Sequence, residues 1–306
     1  MRLITRSDFD GLACAVLLEE IGVIDDRLFV HPKDVQDGKV AVTKNDVLAN
    51  VPLVPGCGLW FDHHASENER LAAEERYAFV GASRPAPSCA RVIYDYYGGA
   101  AKFKRFDDSG LMGAVDKSDS ASFTVEEITH PTGWVLLSFI MDARTGLGRF
   151  KDYRISNYDL MKDMVGYLRT LSVDGILELP DVKVRVERYF AQETGYQAMI
   201  RANSRLDGNV LAIDLRNVAG VLSGNRFAEY ALFPQANVSI RAIWGRDKRN
   251  VAFTVGHSII NRTCKVNVGS LMLKYGGGGH VQVGTCQVDT PRADAAFAQL
   301  IAELKG

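Results

Sequence analysis

The 306-residue chain has a net charge of -1, 47% hydrophobic and 24% charged residues, and no apolar run near the roughly 18 residues that span a bilayer. A membrane span is thereby excluded, and what is left is an ordinary globular chain with room for about two domains. The N-terminus enters a strand-like Arg2–Thr5 without a signal-peptide core, and five scattered cysteines never spaced C-x-x-C read as thiols of a reducing compartment, so a cytoplasmic location is expected.

Taken in order, Arg2–Arg6 predicts a buried strand, and Leu12–Ile21 predicts a helix stopped by Gly22. Between them lies Ser7-Asp8-Phe9-Asp10-Gly11, which puts two carboxylates at the carboxyl end of a strand, where open α/β sheets bind ligands. Helix capping by one Asp is compatible with that role. Strands are expected at Leu28–His31, Asp46–Val51 and Leu59–Phe61, and helices over Ser88–Tyr97 and from about Asp108 to Ala121. Strands alternating with helices argue for a mostly parallel sheet with helices on both faces. From Thr132 to about Leu206 the pattern is helical, over Trp134–Met141, Asn157–Leu171 and about Val182–Arg205. Beyond Gly208, strands return at Val210–Leu215, Asn237–Trp244 and Val251–Val255, with helices near Asn225–Leu232, Val268–Tyr275 and Arg292–Leu304. The expected fold class is therefore α/β in two lobes: an N-terminal lobe over 1–150, a helical connector over 151–206 and a smaller C-terminal α/β domain over 207–306.

Three further stretches carry chemistry. Phe61-Asp62-His63-His64 ends a strand in one carboxylate and two imidazoles, a ligand set of hydrolytic Mn²⁺, Mg²⁺ or Zn²⁺ sites. Asp116 and Asp119 are one helical turn apart and share a face. Tyr275 precedes four glycines, Gly276–Gly279, and then His280; backbone without Cβ lets amides approach an anion, although a hinge explains the glycines as well. Residues 226–274 carry eight basic side chains against Glu229 and Asp247, a surface that attracts phosphate or is merely solvated.

Asp8-x-Asp10-Gly at the first strand, Asp62-His63-His64, Asp116 in a helix and a late Gly-Gly-Gly-Gly-His280, in that order, resemble the DHH phosphoesterase family in the branch with a DHH-associated C-terminal domain. The resemblance implies a parallel-sheet lobe carrying two Mn²⁺ ions and a second lobe whose glycine-rich motif grips the substrate. It implies Asp8, Asp10, Asp116 and one of the two histidines, His64 by preference, as ligands. His63, His64 and Asp62 would then serve the catalytic step. Gly276, Gly277, Gly278, Gly279, His280 and Arg262 would contact the substrate. Two positions depart from the family pattern. Arg6 stands where a histidine is usual, and Asn50 where a shared aspartate is usual, with Asp46 the alternative. Arg cannot ligate a metal, and Asn brings no bridging charge. The implied cofactor is Mn or Mg as one ion, two, or none, with Arg6 as a phosphate clamp. The implied activity is metal-dependent hydrolysis of a small nucleotide, short oligonucleotide or polyphosphate. The competing expectation is an impaired member that binds phosphate or short single-stranded nucleic acid. No membrane is involved, and a homodimer is left open.

Overall fold

Buried Leu3 and Ile4 point to opposite faces of the first strand, so both faces of its sheet must be covered. In the computed structural model, which describes residues 1–64, 67 and 78–305, that strand is β1 (Arg2–Arg6). With β2 (Asp26–Val30), β3 (Asp46–Ala49), β4 (Leu59–Asp62) and β5 (Gly81–Ser83) it forms an all-parallel sheet in the order β2-β1-β3-β4-β5. The register sets Thr5 beside Ala49 and Ala49 beside Phe61. Ile4, Leu48 and Trp60 face one apolar cluster, closed by Val35 of the short α2 (Pro32–Gln36) and by the residues leading into and out of β3. The opposite face meets α1 (Phe9–Glu20) and α3 (Cys89–Tyr96), where Cys89 Sγ donates to the Phe61 carbonyl. The strand order turns back between β1 and β3. This is the switch point at whose carboxyl-end crevice doubly wound sheets bind ligands.

The helices that follow correct one boundary. The helix expected from about Asp108 starts at Leu111 as α5 (Leu111–Asp119), and a further helix, α4 (Ala100–Asp108), precedes it, the two parted at Gly110 with φ +82°. A left-handed residue ends one helix, and Gly takes that conformation at little cost. Then come α6 (Val125–Thr129), α7 (Gly133–Met141), α8 (Asn157–Thr170), α9 (Val173–Leu177) and the long α10 (Pro180–Ala202). Pro180 opens α10, as fits a residue without an N–H at a first helical position. Arg185 of α10 is fully buried, with Asn157 Oδ1 and the Asp181 and Ile155 carbonyls accepting from its guanidinium, which lies 3.9 Å from the Tyr153 ring centroid.

The chain divides into one unit of Met1–Phe123 with Pro131–Arg188 and another of Thr124–His130 with Tyr189–Gly306, so the boundary falls inside α10. The second unit is built on a six-stranded sheet. Its strands are β6 (Ser204–Asp207), β7 (Val210–Asp214), β8 (Val238–Trp244), β9 (Asn250–His257), β10 (Gly278–His280) and β11 (Val283–Asp289), in the order β10-β11-β9-β8-β7-β6. Only β7 and β8 pair in parallel. One apolar cluster joins the sheet to α12 (Val268–Leu273) and α13 (Ala293–Leu304); another joins it to Tyr196, Met199 and Ile200 of α10 and to Ala228 of α11 (Ala228–Leu232). Neither β10 nor β11 was expected: the first is mostly glycine, and the second alternates exposed and buried residues that are mostly small or polar. Among the described residues no helix is long and apolar enough to cross a membrane.

Candidate functional site

The turn from β1 into α1 sorts its two aspartates. Asp8 is the N-cap, its Oδ1 accepting from the Gly11 amide at 3.0 Å, while Asp10 sits in the first helical turn and is buried. Gly11 is required there: a Cβ would lie 2.0 Å from the Arg6 carbonyl oxygen. The Asp10 carboxylate accepts from the amides of Cys89 at 2.9 Å and Ala90 at 2.8 Å, the first two residues of α3. Unpaired amides and the positive end of the dipole make a helix N-terminus a natural seat for a carboxylate. Ser88 caps that helix through the Arg91 amide and at the same time donates to Asp116 Oδ1 at 2.7 Å.

His63 completes the cluster. Its Nδ1 lies 3.1 Å from the Ala86 carbonyl, which accepts the Nδ1 proton and leaves the lone pair on Nε2. Nε2 stands 3.2 Å from Asp119 Oδ2 and 3.8 Å from Asp10 Oδ2, and it is buried without a hydrogen-bond partner. Ligand atoms of Asp10, His63 and Asp119 all lie within 4.8 Å of one another. An orphaned imidazole lone pair facing two carboxylates suits a divalent cation, and a backbone carbonyl that fixes the ring tautomer is the usual support for a metal-bound histidine. The neighbouring ring behaves differently. His64 Nδ1 is 2.9 Å from Asp62 Oδ1, and the wholly buried Asp62 also accepts the His64 amide.

These contacts differ from the ligand set that the resemblance implies. His63 Nε2 faces Asp10 and Asp119, and His64 Nδ1 pairs with Asp62. Asp116 is turned away from the cluster: Arg91 holds its Oδ2 through Nε at 2.9 Å and Nη2 at 2.6 Å. Asp119, three residues on along α5, stands in the cluster instead. Asp8 has both oxygens engaged, Oδ1 by Asn50 Nδ2 at 3.2 Å and Oδ2 by Arg6 Nε at 2.9 Å. Asn50 is buried at φ +56°, a left-handed conformation that Asn tolerates, and its Oδ1 has no partner. Asp46 lies at the amino end of β3, bound to Arg2 and Thr43, and plays no part in the cluster.

The titration pattern follows from this crowding. Burial, then the charges of Asp119 and Asp8, push the Asp10 carboxyl well above the usual carboxylate range, and the Ala90 and Cys89 amides pull back only partly. Burial likewise raises Asp119, against the opposing pull of His63. For His64, burial favours the neutral ring, but the hydrogen bond and charge of Asp62, with Asp119, outweigh it and raise the imidazole above its ordinary value. Two carboxyls held high and one imidazole made more basic, gathered in one crevice, mark this cluster as the candidate functional site.

In the second unit, three of the four glycines answer to backbone geometry. Gly276 has φ +74°, a Cβ on Gly277 would lie 2.0 Å from the Thr285 carbonyl oxygen, and one on Gly279 would lie 2.2 Å from that of Val283. The same strand crowds Gly269 of α12, whose Cβ would meet Gly279 O at 2.6 Å. Gly278 has open space around it and no left-handed φ, so neither constraint applies there. His280 is exposed in β10, and the exposed Arg262 donates through Nε to the Ile259 carbonyl at 3.0 Å. A hinge is thus a poorer account of this motif than a backbone strip packed against β11 and α12. All five cysteines are free thiols.

No protein-family model and no curated protein matches the chain. Among solved structures, the pGpG-specific phosphodiesterase PggH of Vibrio cholerae is similar at a TM-score of 0.82 and 47% identity, covering 99% of this chain and 98% of that one. CDC45 of Entamoeba histolytica shares the fold at a TM-score of 0.50 and 8% identity, over 100% of this chain and 95% of that one. RecJ of Thermus thermophilus, in complex with Mg²⁺, has a TM-score of 0.47 and 12% identity, over 98% of this chain and 49% of that one.

Proposed function

The chain belongs to the DHH phosphoesterase family, and on that premise we propose that it is a metal-dependent phosphodiesterase that hydrolyses a small linear dinucleotide of the pGpG type. The observation that carries the reading is the cluster of Asp10, His63 and Asp119 at the switch point of the parallel sheet. Cleaving the single phosphodiester of pGpG with one water yields two molecules of GMP. Asp10, His63 and Asp119 would hold a divalent cation, Mn²⁺ by preference, which would supply Lewis-acid stabilisation of the phosphoryl charge and activation of the attacking water.

The protein's own residues do the rest. The α3 amides and the Ala86 carbonyl hold Asp10 and His63 in place before substrate arrives. Asp62 fixes the His64 tautomer and favours its charged form, so Nε2 carries a proton to the leaving oxygen. Ser88 and Arg91 hold Asp116, and through the cap on α3 this brace positions Asp10. In the second unit, Arg262, His280 and the backbone of Gly276–Gly279 are assigned to the substrate's phosphate and sugar groups. Activity in the cytoplasm suits the five free thiols.

One observation favours a second reading, an impaired member that binds without efficient turnover. Arg6 and Asn50 direct donors onto both Asp8 oxygens, which removes Asp8 from the ligand set and leaves one cation position where the family resemblance implies two. Incubating the purified protein with pGpG and Mn²⁺, beside Asp10→Ala and the double variant Arg6→His/Asn50→Asp, separates the readings. The proposal expects GMP from the natural sequence and none from Asp10→Ala. GMP from the double variant alone would replace it with the binder.

A further inference from the structure

Beside Asp8 a cleft of about 330 Å³ opens at the carboxyl ends of β1 and β2. Its walls are Arg6, Ser7 and Asp8 on one side, Val30 and His31 on another, and the turn Asp142–Arg144. Two guanidiniums enter it in the same way. Arg6 Nε forms an ion pair with Asp8 Oδ2 at 2.9 Å, and Arg144 donates Nε to Asp142 Oδ1 at 2.7 Å. Asp142 also accepts the Arg144 backbone amide at 2.8 Å, which fixes the turn from which that side chain projects.

Among the described residues, neither Arg6 nor Arg144 donates an Nη group to any protein acceptor. Each carboxylate therefore holds its arginine by the Nε edge and leaves the fork of Nη donors for something else. Phosphate oxygens match such a fork bidentately. A third donor comes from His31. Its Nδ1 accepts the Lys33 amide at 3.2 Å, so the neutral ring carries its proton on Nε2. Burial disfavours the charge on Arg144, but Asp142, then Asp8 and Asp119, outweigh it, which also places this cation within electrostatic reach of the candidate metal cluster.

We propose that this cleft is a second phosphate subsite, taking the terminal phosphate monoester of a dinucleotide whose diester is cut at the Asp10–His63–Asp119 cluster, with Arg144 as the residue that sets the preference for phosphorylated dinucleotides. The inference rests on the phosphodiesterase reading above. Arg6 was anticipated from the sequence as a phosphate clamp; Arg144 and His31 were not, because they lie 138 and 25 positions away along the chain and only the fold brings them to one cleft.

Steady-state kinetics with Mn²⁺ on pGpG and on GpG, which lacks the terminal phosphate, test the assignment in the natural protein, Arg144→Ala and Arg144→Lys. The natural protein prefers pGpG in KM. Arg144→Ala raises KM for pGpG about ten- to hundredfold, the loss of a charged hydrogen-bonding group, with kcat changed less, and the preference for pGpG collapses. Arg144→Lys recovers part of it. A KM for pGpG within twofold of the natural protein, or an equal loss on both dinucleotides, overturns the subsite. Should the natural protein cleave neither dinucleotide, the phosphodiesterase reading fails, and calorimetric titration of GMP into metal-free protein decides the subsite separately. At least tenfold weaker binding to Arg144→Ala supports it, and equal binding overturns it.

Discussion

At the amino ends of the parallel strands, the buried carboxylate of Asp46 receives Arg2 Nε at 2.7 Å and both the amide and hydroxyl of Thr43. At the carboxyl ends, the equally buried Asp10 meets two helix amides, an imidazole and a second carboxylate. The two carboxylates shift in opposite directions. Burial raises both, but at Asp46 the Arg2 and Thr43 contacts outweigh it and leave the carboxyl below its ordinary range, whereas at Asp10 the neighbouring carboxylates add to it. One end of the sheet pairs its carboxylate within the fold, and the other gathers carboxyls that the proposed cation would neutralise. On the proposed function, local rules of charge pairing are broken at the site.

That contrast is open to direct attack. The largest effect is expected at the cluster: Asp119→Asn should lower kcat for pGpG hydrolysis on the order of 10³-fold, through loss of several kcal/mol of transition-state stabilisation, as measured by GMP release. At the opposite edge, Asp46→Asn should cost about 2–3 kcal/mol in urea unfolding while leaving Mn²⁺ affinity unchanged. Because the folded-state Asp46 carboxyl titrates below its unfolded value, its stabilisation is present above about pH 4 and is lost as pH falls through the folded value. The variant should therefore lose part of the acid sensitivity of unfolding. Asp116→Asn, which breaks the brace on Arg91 and Ser88 without touching the cluster, should cost about ten- to hundredfold in activity or metal affinity. The smallest effect has the opposite sign. In metal-free protein, Asp119→Asn should raise stability by about 1 kcal/mol at pH 8, by removing a carboxylate beside Asp10 and Asp8. Both carboxyls titrate above their unfolded values, so the natural metal-free protein loses stability as pH rises through the folded values, and the gain should shrink toward pH 4.

The sheet and the place of the candidate site were legible in the sequence for physical reasons. Runs such as Arg2–Arg6 and Leu59–Phe61 are apolar on both faces, and the residues that follow them are the candidates for chemistry. What could not be read was a choice between near neighbours on one element. His63 and His64 differ only in their partners, the Ala86 carbonyl and Asp62, and Asp116 and Asp119 differ in that Arg91 reaches only the first. Each partner is remote in sequence or indistinguishable from its neighbours before folding. The strand β10 was missed because glycine supplies no side-chain periodicity, and close approach of backbone to backbone leaves no trace in a hydrophobic pattern, whereas β11 alternates exposed and buried residues with small or polar side chains at most of its positions. The pairing of Arg6 and Asn50 with Asp8 was similarly invisible, although both residues stood out as departures from the family pattern.

Calorimetric titration of Mn²⁺ into metal-free natural protein, Asp119→Ala and Asp116→Ala tests the proposed metal centre most directly. Asp10, His63 and Asp119 as ligands predict that binding is lost in Asp119→Ala and kept, at most weakened about ten- to hundredfold, in Asp116→Ala. Full affinity in Asp119→Ala together with loss in Asp116→Ala would contradict the account and return the helix ligand to Asp116.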